Sequence, residues 1–260
     1  MRIPLLFPLL LAVTWPNASQ AAEGACHFEG GVIVAPATVA GIAGDYILDT
    51  GTPQTLLHET KAQTEGIAET VLSGAVELAG LKLEDRPLLV QDLDLRTWYL
   101  PTPVAGVIGM DVLGNFVMDV EFAPCRVRLW PAGTAPRYRG RVIPIDRDRG
   151  RPTAIASVSD GAHQITGAFV LATGANAPIR LADDLARATT ANPVDLYPEG
   201  GWLTRLPLVT FAGRTGRDVG VGLMPPQGEV VGVLGGPVLA HFRLRFDFPA
   251  GKITVAPARP

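Results

Sequence analysis

Serine and histidine are scarce in this chain, with four of each in 260 residues. The histidines (His27, His58, His163 and His241) include no pair spaced like H-E-x-x-H, so no metal site is expected. No G-x-S-x-G elbow surrounds a serine, which removes the common route to a serine nucleophile. Neither a phosphate loop nor a G-x-G-x-x-G opening a helix is present, and no cofactor is expected. Aromatics make up only 7% of the chain and do not interleave with a Lys/Arg cluster, which argues against nucleic acid as a partner. The one basic run, Arg137 to Arg141 ("RYRGR"), reads as a solvated linker. Helical periodicity is weak; the best match is 180–191 ("RLADDLARATTA"), with Leu181, Leu185 and Ala188 on one face.

Long apolar runs are also missing, except at the very start. Arg2 precedes a largely apolar stretch of 13 residues, Ile3 to Trp15, and Ser19-Gln20-Ala21 supplies small residues where a signal peptidase reads. A span needs about 20 apolar residues, and this run is interrupted by Pro4 and Pro8. Residues 1–21 therefore read as a signal peptide, and the mature chain as exported, periplasmic or secreted, with no membrane span. A lipoprotein reading of Cys26 is weaker, because Glu23 stands where an aliphatic residue is wanted. The few residues before Cys26 leave no room for a sizeable propeptide. Without Arg2 the chain carries 21 basic and 25 acidic side chains, a net charge near −4.

Only two cysteines occur, Cys26 and Cys125, and export makes a bridge between them the expected state. Such a bridge closes about 100 residues and is worth up to ~4.7 kcal/mol in the chain-entropy account. The alternative is two free thiols.

What the chain has in quantity is turn residues, 29 glycines and 23 prolines, between short β-branched runs such as "GVIVAPATVAG", "AIASV" and "CRVRLW". It reads as mainly β. It also repeats itself. Residues 106–131 align without a gap on 232–257, with eight identities in 26 positions, among them Gly106/Gly232, Gly109/Gly235, Leu113/Leu239 and Phe116/Phe242. Upstream, "YILDTG" (46–51) is echoed by "FVLATG" (169–174). The offsets, 123 and 126 residues, differ by only a short insertion. Two matches in the same order indicate a tandem duplication: an N-terminal lobe over 22–131, a linker over 132–141 and a C-terminal lobe over 142–260.

Two apolar residues, then Asp49-Thr50-Gly51, then "GVIGMDVL" some 60 residues later resemble the aspartic peptidases. The "GMD-x-L" stretch, Gly109 to Leu113, is closest to the bacterial retropepsin-like group, and the doubling resembles the two-lobed pepsin architecture. The resemblance covers nearly all of the mature chain and implies a two-lobed acid-protease fold with a polypeptide in the inter-lobe cleft. It implies that Asp49 sits at the end of a strand, with Gly51 allowing the tight turn. It also implies that Thr50 and Thr173 bond across the lobes, and that the turns at Gly106, Gly109, Gly232 and Gly235 buttress Asp49-Thr50-Gly51 and Ala172-Thr173-Gly174.

In that family, two carboxylates, one per lobe, share a proton; one activates a water while the other polarises the scissile carbonyl. Here the second position holds Ala172, and elsewhere in the second lobe Pro237 answers Asp111 and Gly236 answers Met110. A lone Asp49 lacks a matching acid, and losing one member of such a unit removes most of the activity. Three readings follow. The first is a degenerate peptidase that binds a polypeptide or protein partner, as a monomer, without cutting it. The second is an active endopeptidase that pairs Asp49 across chains or recruits Asp183 or Asp184. The third is a structural or interaction module. Few residues and no tyrosine separate His58 from "AVELAGLKL", so a flap in the first lobe should be short; "NPVDLYPEGGWL" (192–203), with Tyr197 and Trp202, is the candidate counterpart in the second.

Overall fold

The computed structural model describes residues 21–161, 164–182 and 204–258. Asp183, Asp184, Tyr197, Trp202 and His163 fall outside these, as do residues 1–20.

Alternating apolar residues and glycine turns fold into three sheets. In the first lobe the strands lie in the order His27–Glu29, Val32–Val39, Ile42–Leu48, Val104–Ile108, Leu56–His58, Leu81–Gln91, Val71–Leu78. A further pairing of Val71–Leu78 with Val32–Val39 closes six of these strands into a barrel. The second lobe repeats the order with Asp146–Asp148, Arg151–Ser159, Gln164–Ala172, Gly232–Gly235, Ile179–Ala182, Arg214–Met224 and Thr204–Phe211. Its closing pair is Thr204–Phe211 with Arg151–Ser159. The duplication read from the sequence is thus a duplication of strand order.

The Arg180–Ala182 part of the anticipated helix is strand instead, paired with Arg214–Met224 and Gly232–Gly235. Its apolar spacing was ambiguous: Ile179 and Leu181 alternate with exposed Arg180, a period of two that three residues cannot distinguish from helix. The remainder of that segment lies outside the described residues.

A third sheet joins the lobes: Ala22–Ala25, Cys125–Trp130, Val117–Phe122, Phe242–Asp247, Lys252–Pro257 and Arg141–Pro144. Its central pair consists of repeat-equivalent strands running antiparallel, with Met118 opposite Phe246, Asp119 opposite Arg245 and Val120 opposite Leu244. The approximate two-fold axis of the molecule therefore passes through Asp119 and Arg245. Both are buried; Arg245 Nε and Nη2 donate to the two Asp119 oxygens at 2.5 and 2.7 Å, and Trp130 Nε1 adds a third donor at 3.1 Å.

Cys26 and Cys125 form a disulfide with a Cα–Cα distance of 5.4 Å, tying the start of the first barrel to this sheet. Such a bridge belongs to an oxidising compartment. The buried core runs through all three sheets, from Ile33, Leu48 and Ile108 in the first lobe to Phe169, Leu171 and Leu234 in the second. No helix among the described residues is long and apolar enough to cross a membrane.

Candidate functional site

The two repeated turns meet where the barrels face each other. Ile42–Leu48 runs parallel to Val104–Ile108, and the Asp49 N–H donates to the Ile108 carbonyl at 3.0 Å, so the "GVIG" stretch lies directly beside the turn. Gln164–Ala172 and Gly232–Gly235 make the same parallel pairing, with Ala172 opposite Gly235. The glycines allow this crowding. A Cβ on Gly106 would run into the Leu56 carbonyl oxygen, and one on Gly232 into that of Arg180. Gly109 N donates to Thr55 Oγ1 at 3.2 Å and Gly235 N to the Pro178 carbonyl at 2.9 Å, which pins each turn to the strand that follows it.

Thr50 and Thr173 are fully buried and bond reciprocally across the interface. Thr50 Oγ1 donates to the Leu171 carbonyl at 2.5 Å and accepts the Thr173 N–H at 3.2 Å. Thr173 Oγ1 donates to the Leu48 carbonyl at 2.7 Å and accepts the Thr50 N–H at 3.1 Å. Neither Gly51, expected to allow the tight turn, nor Gly174 has a positive φ. Glycine is required there by approach: a Cβ on Gly51 would lie 2.5 Å from the Ala172 Cβ, and one on Gly174 would collide with the Asp49 side chain.

Asp49 is only 4% exposed, and every face of its carboxylate has a donor. Oδ1 accepts the Gly51 N–H at 2.7 Å and the Gly174 N–H at 3.0 Å. Oδ2 accepts the Thr52 hydroxyl at 2.7 Å and Arg96 Nη2 at 2.5 Å. Arg96 Nη1 reaches Thr52 Oγ1 as well, at 3.1 Å, so its guanidinium straddles the turn. Across from Asp49 stands the buried methyl group of Ala172.

Arg96 was not singled out by sequence, because it is 47 residues from Asp49 in a segment with no motif. One signal was available. The connection into "GVIG" spans residues 92–103 in the first lobe, whereas its counterpart into "GVLG" spans only 225–231. The extra residues form a short helix, Asp94–Thr97, that carries Arg96 over the site. Leu93 and Leu100 anchor it in an apolar cluster with Val32, Leu56 and Val107. His58 secures it from below: its Nδ1 accepts the Thr60 N–H at 3.4 Å at the start of the helix Glu59–Thr64, and its Nε2 lies 3.1 Å from Asp94 Oδ1. The Val71–Leu78/Leu81–Gln91 hairpin does not cover the cleft, since its tip at Ala79 packs beside Gly24 in the joining sheet.

The cleft between the turns is about 650 Å³ in volume. Among the described residues Asp49 is the only carboxylate lining it, against three arginines, Arg96, Arg151 and Arg180. Arg151 is held by Gln227 Oε1, to which its Nη1 donates at 2.6 Å, and by the Asp148 carboxylate. Among the described residues no cluster of His, Cys, Asp and Glu gathers to hold a metal ion.

No protein-family model matches the sequence, and no curated protein is similar to it in sequence. Solved structures do match. The aspartic proteinase from Irpex lacteus superposes with a TM-score of 0.55 at 14% identity, over 92% of this chain and 98% of that one. The fold is thus the two-lobed, duplicated, pepsin-like fold, shared at a sequence identity that carries architecture alone.

Proposed function

We propose that the chain is an exported pseudo-peptidase, whose inter-lobe cleft retains polypeptide binding and has lost hydrolysis. The observation that carries this is the state of Asp49. Hydrolysis by this fold's chemistry asks one carboxylate to take a proton from water while a second delivers one to the carbonyl. Asp49 Oδ2, the oxygen on the Thr52 side, is occupied by Arg96, and Ala172 has no proton to give. A carboxylate with four donors has neither a free lone pair for water nor a neighbour to share a proton with.

The cross-chain alternative gains no support from the joining sheet. Val117–Phe122, the strand through which two first lobes would associate, is already paired with Phe242–Asp247 of the same chain. This favours a monomer. The cleft's architecture and the intact turns favour binding over a purely structural module, because a filler domain has no need of a buried acid held by four donors. Export to the periplasm or beyond accords with the Cys26–Cys125 bridge.

The test is a gain of function. The purified oxidised chain, incubated with an unfolded protein substrate from pH 3 to 7, should leave it intact. Arg96→Ala combined with Ala172→Asp should produce cleavage that a statine-type inhibitor blocks, and Ala172→Asp alone should produce far less. Cleavage by the native chain that vanishes in Asp49→Ala would sink the proposal.

A further inference from the structure

The second lobe's wall of the cleft has changed its chemistry relative to the first. Leu56 pairs with Val107, and Arg180 pairs with Val233, the repeat equivalent of Val107. Arg180 therefore stands where the first lobe has a buried leucine. By the same reasoning, Val34 pairs with Ile47 and Thr153 with Val170, which places Arg151 where the first lobe has the buried Val32. Two aliphatic positions have become arginines, both facing the cleft.

These arginines are not equally committed. Arg96 is bonded to Asp49 and Thr52, and Arg151 to Asp148 and Gln227. Arg180 is exposed, and no described residue hydrogen-bonds or ion-pairs with its guanidinium. Tyr99, half-buried in the same cleft, also has a hydroxyl without a hydrogen-bond partner among the described residues. Burial pushes the Tyr99 phenol up, against the opposing pull of Arg96 and Arg180, so it remains a neutral donor in ordinary buffers. Beside it, Leu95 and Trp98 are 92% and 78% exposed, at the mouth of the cleft.

We propose that the cleft selects acidic polypeptide segments, with a Glu or Asp carboxylate of the bound chain received by Arg180 and Tyr99 and neighbouring apolar side chains resting on Leu95 and Trp98. This rests on the reading of the cleft as a polypeptide site and names what it prefers. A guanidinium presents a fork of N–H donors matched to a carboxylate, and such charge-assisted bonds are the stronger kind. The charge balance agrees: the Arg96–Asp49 and Arg151–Asp148 pairs cancel, which leaves Arg180 as the cleft cation with no counter-charge among the described residues. Long-range attraction would thus be weak and recognition local to the cleft.

Two fluorescein-labelled eight-residue peptides test this by fluorescence anisotropy on the oxidised full chain: one alternating leucine with glutamate, the other leucine with glutamine. The glutamate peptide should bind at least about tenfold more tightly. Arg180→Gln should erase that difference, while Arg214→Gln, which removes an exposed arginine from the far hairpin, should leave it intact. Thermal melts of both variants establish that they are folded. Equal binding of the two peptides, both weakened by Trp98→Ala, would refute the acidic preference and leave the polypeptide cleft standing. Equal effects of the two arginine substitutions would also refute it, by assigning the preference to general surface charge. If neither peptide binds, the cleft reading falls together with the preference.

Discussion

Replacing Thr50 by valine is the sharpest structural test of how the lobes are held together. The two side chains have nearly the same shape, so packing is preserved and only the hydroxyl is lost. That hydroxyl serves two backbone groups of the opposite lobe, the Leu171 carbonyl and the Thr173 N–H, both in a site closed to water. An unpaired buried backbone group costs roughly 1–3 kcal/mol, so Thr50→Val should cost about 2–6 kcal/mol. Thr50→Ser keeps the hydroxyl and loses one methyl group, for ~1 kcal/mol. Thr173 serves a different pair, the Leu48 carbonyl and the Thr50 N–H, so the costs accumulate. The double valine variant would lose about 4–12 kcal/mol, comparable with the ~5–15 kcal/mol that holds a typical domain together. Urea titration of the oxidised protein, read by tryptophan fluorescence, measures this; Trp130 is buried in the joining sheet and reports on lobe association. A Thr50→Val variant within roughly 0.5 kcal/mol of Thr50→Ser would refute the argument, because the hydroxyl would then be no more than a spectator.

Two further outcomes follow from features away from the cleft. Burial pushes the Asp111 carboxyl up, with the Thr55 hydroxyl opposing, and its Oδ2 has no hydrogen-bond partner among the described residues. A carboxyl raised in the folded state favours folding when protonated, and that contribution is lost as pH rises through its folded value. Asp111→Asn should therefore gain stability relative to the native chain as pH rises above the ordinary aspartate value of about 3.9; a difference that stays the same from acid to neutral pH, by urea titration, would contradict it. Removing the bridge with Cys26→Ala and Cys125→Ala should lower stability by about 2–5 kcal/mol, given a loop of 99 residues, and an unmoved urea midpoint would count against it.

The fold could be read from the sequence because its critical contacts are made by residue types with no substitute. Gly106 and Gly232 cannot tolerate a Cβ, and Thr50 and Thr173 must supply a hydroxyl, so the repeat keeps these letters while the barrels drift around them. The cysteine pair was legible for a different reason, since a chain with only two cysteines that is expected to be exported invites a bridge between them. Arg96 was not legible, because nothing in "LDLRTW" distinguishes an arginine aimed at a buried acid from one in solvent. Only the placement of the 92–103 connection over the turn does so. The role of Arg180 was hidden by periodicity: its neighbours suggest one face of a helix, whereas the ladder makes it the outward residue of a strand.

The Asp119–Arg245 pair has a consequence for how the two halves could diverge. On a two-fold axis, a position meets its own equivalent, so two copies of the first half associating in the same way would press Asp119 against Asp119, and two of the second half Arg245 against Arg245. Buried like charges reject such self-association, whereas the mixed pair satisfies both. The halves are orthogonal, each complementary to the other and hostile to itself. A pairing that does not depend on identity lets the two halves line the cleft differently: Arg151 and Arg180 come from the second half, whereas Arg96, on the helix anchored by Leu93 and Leu100, comes from the first.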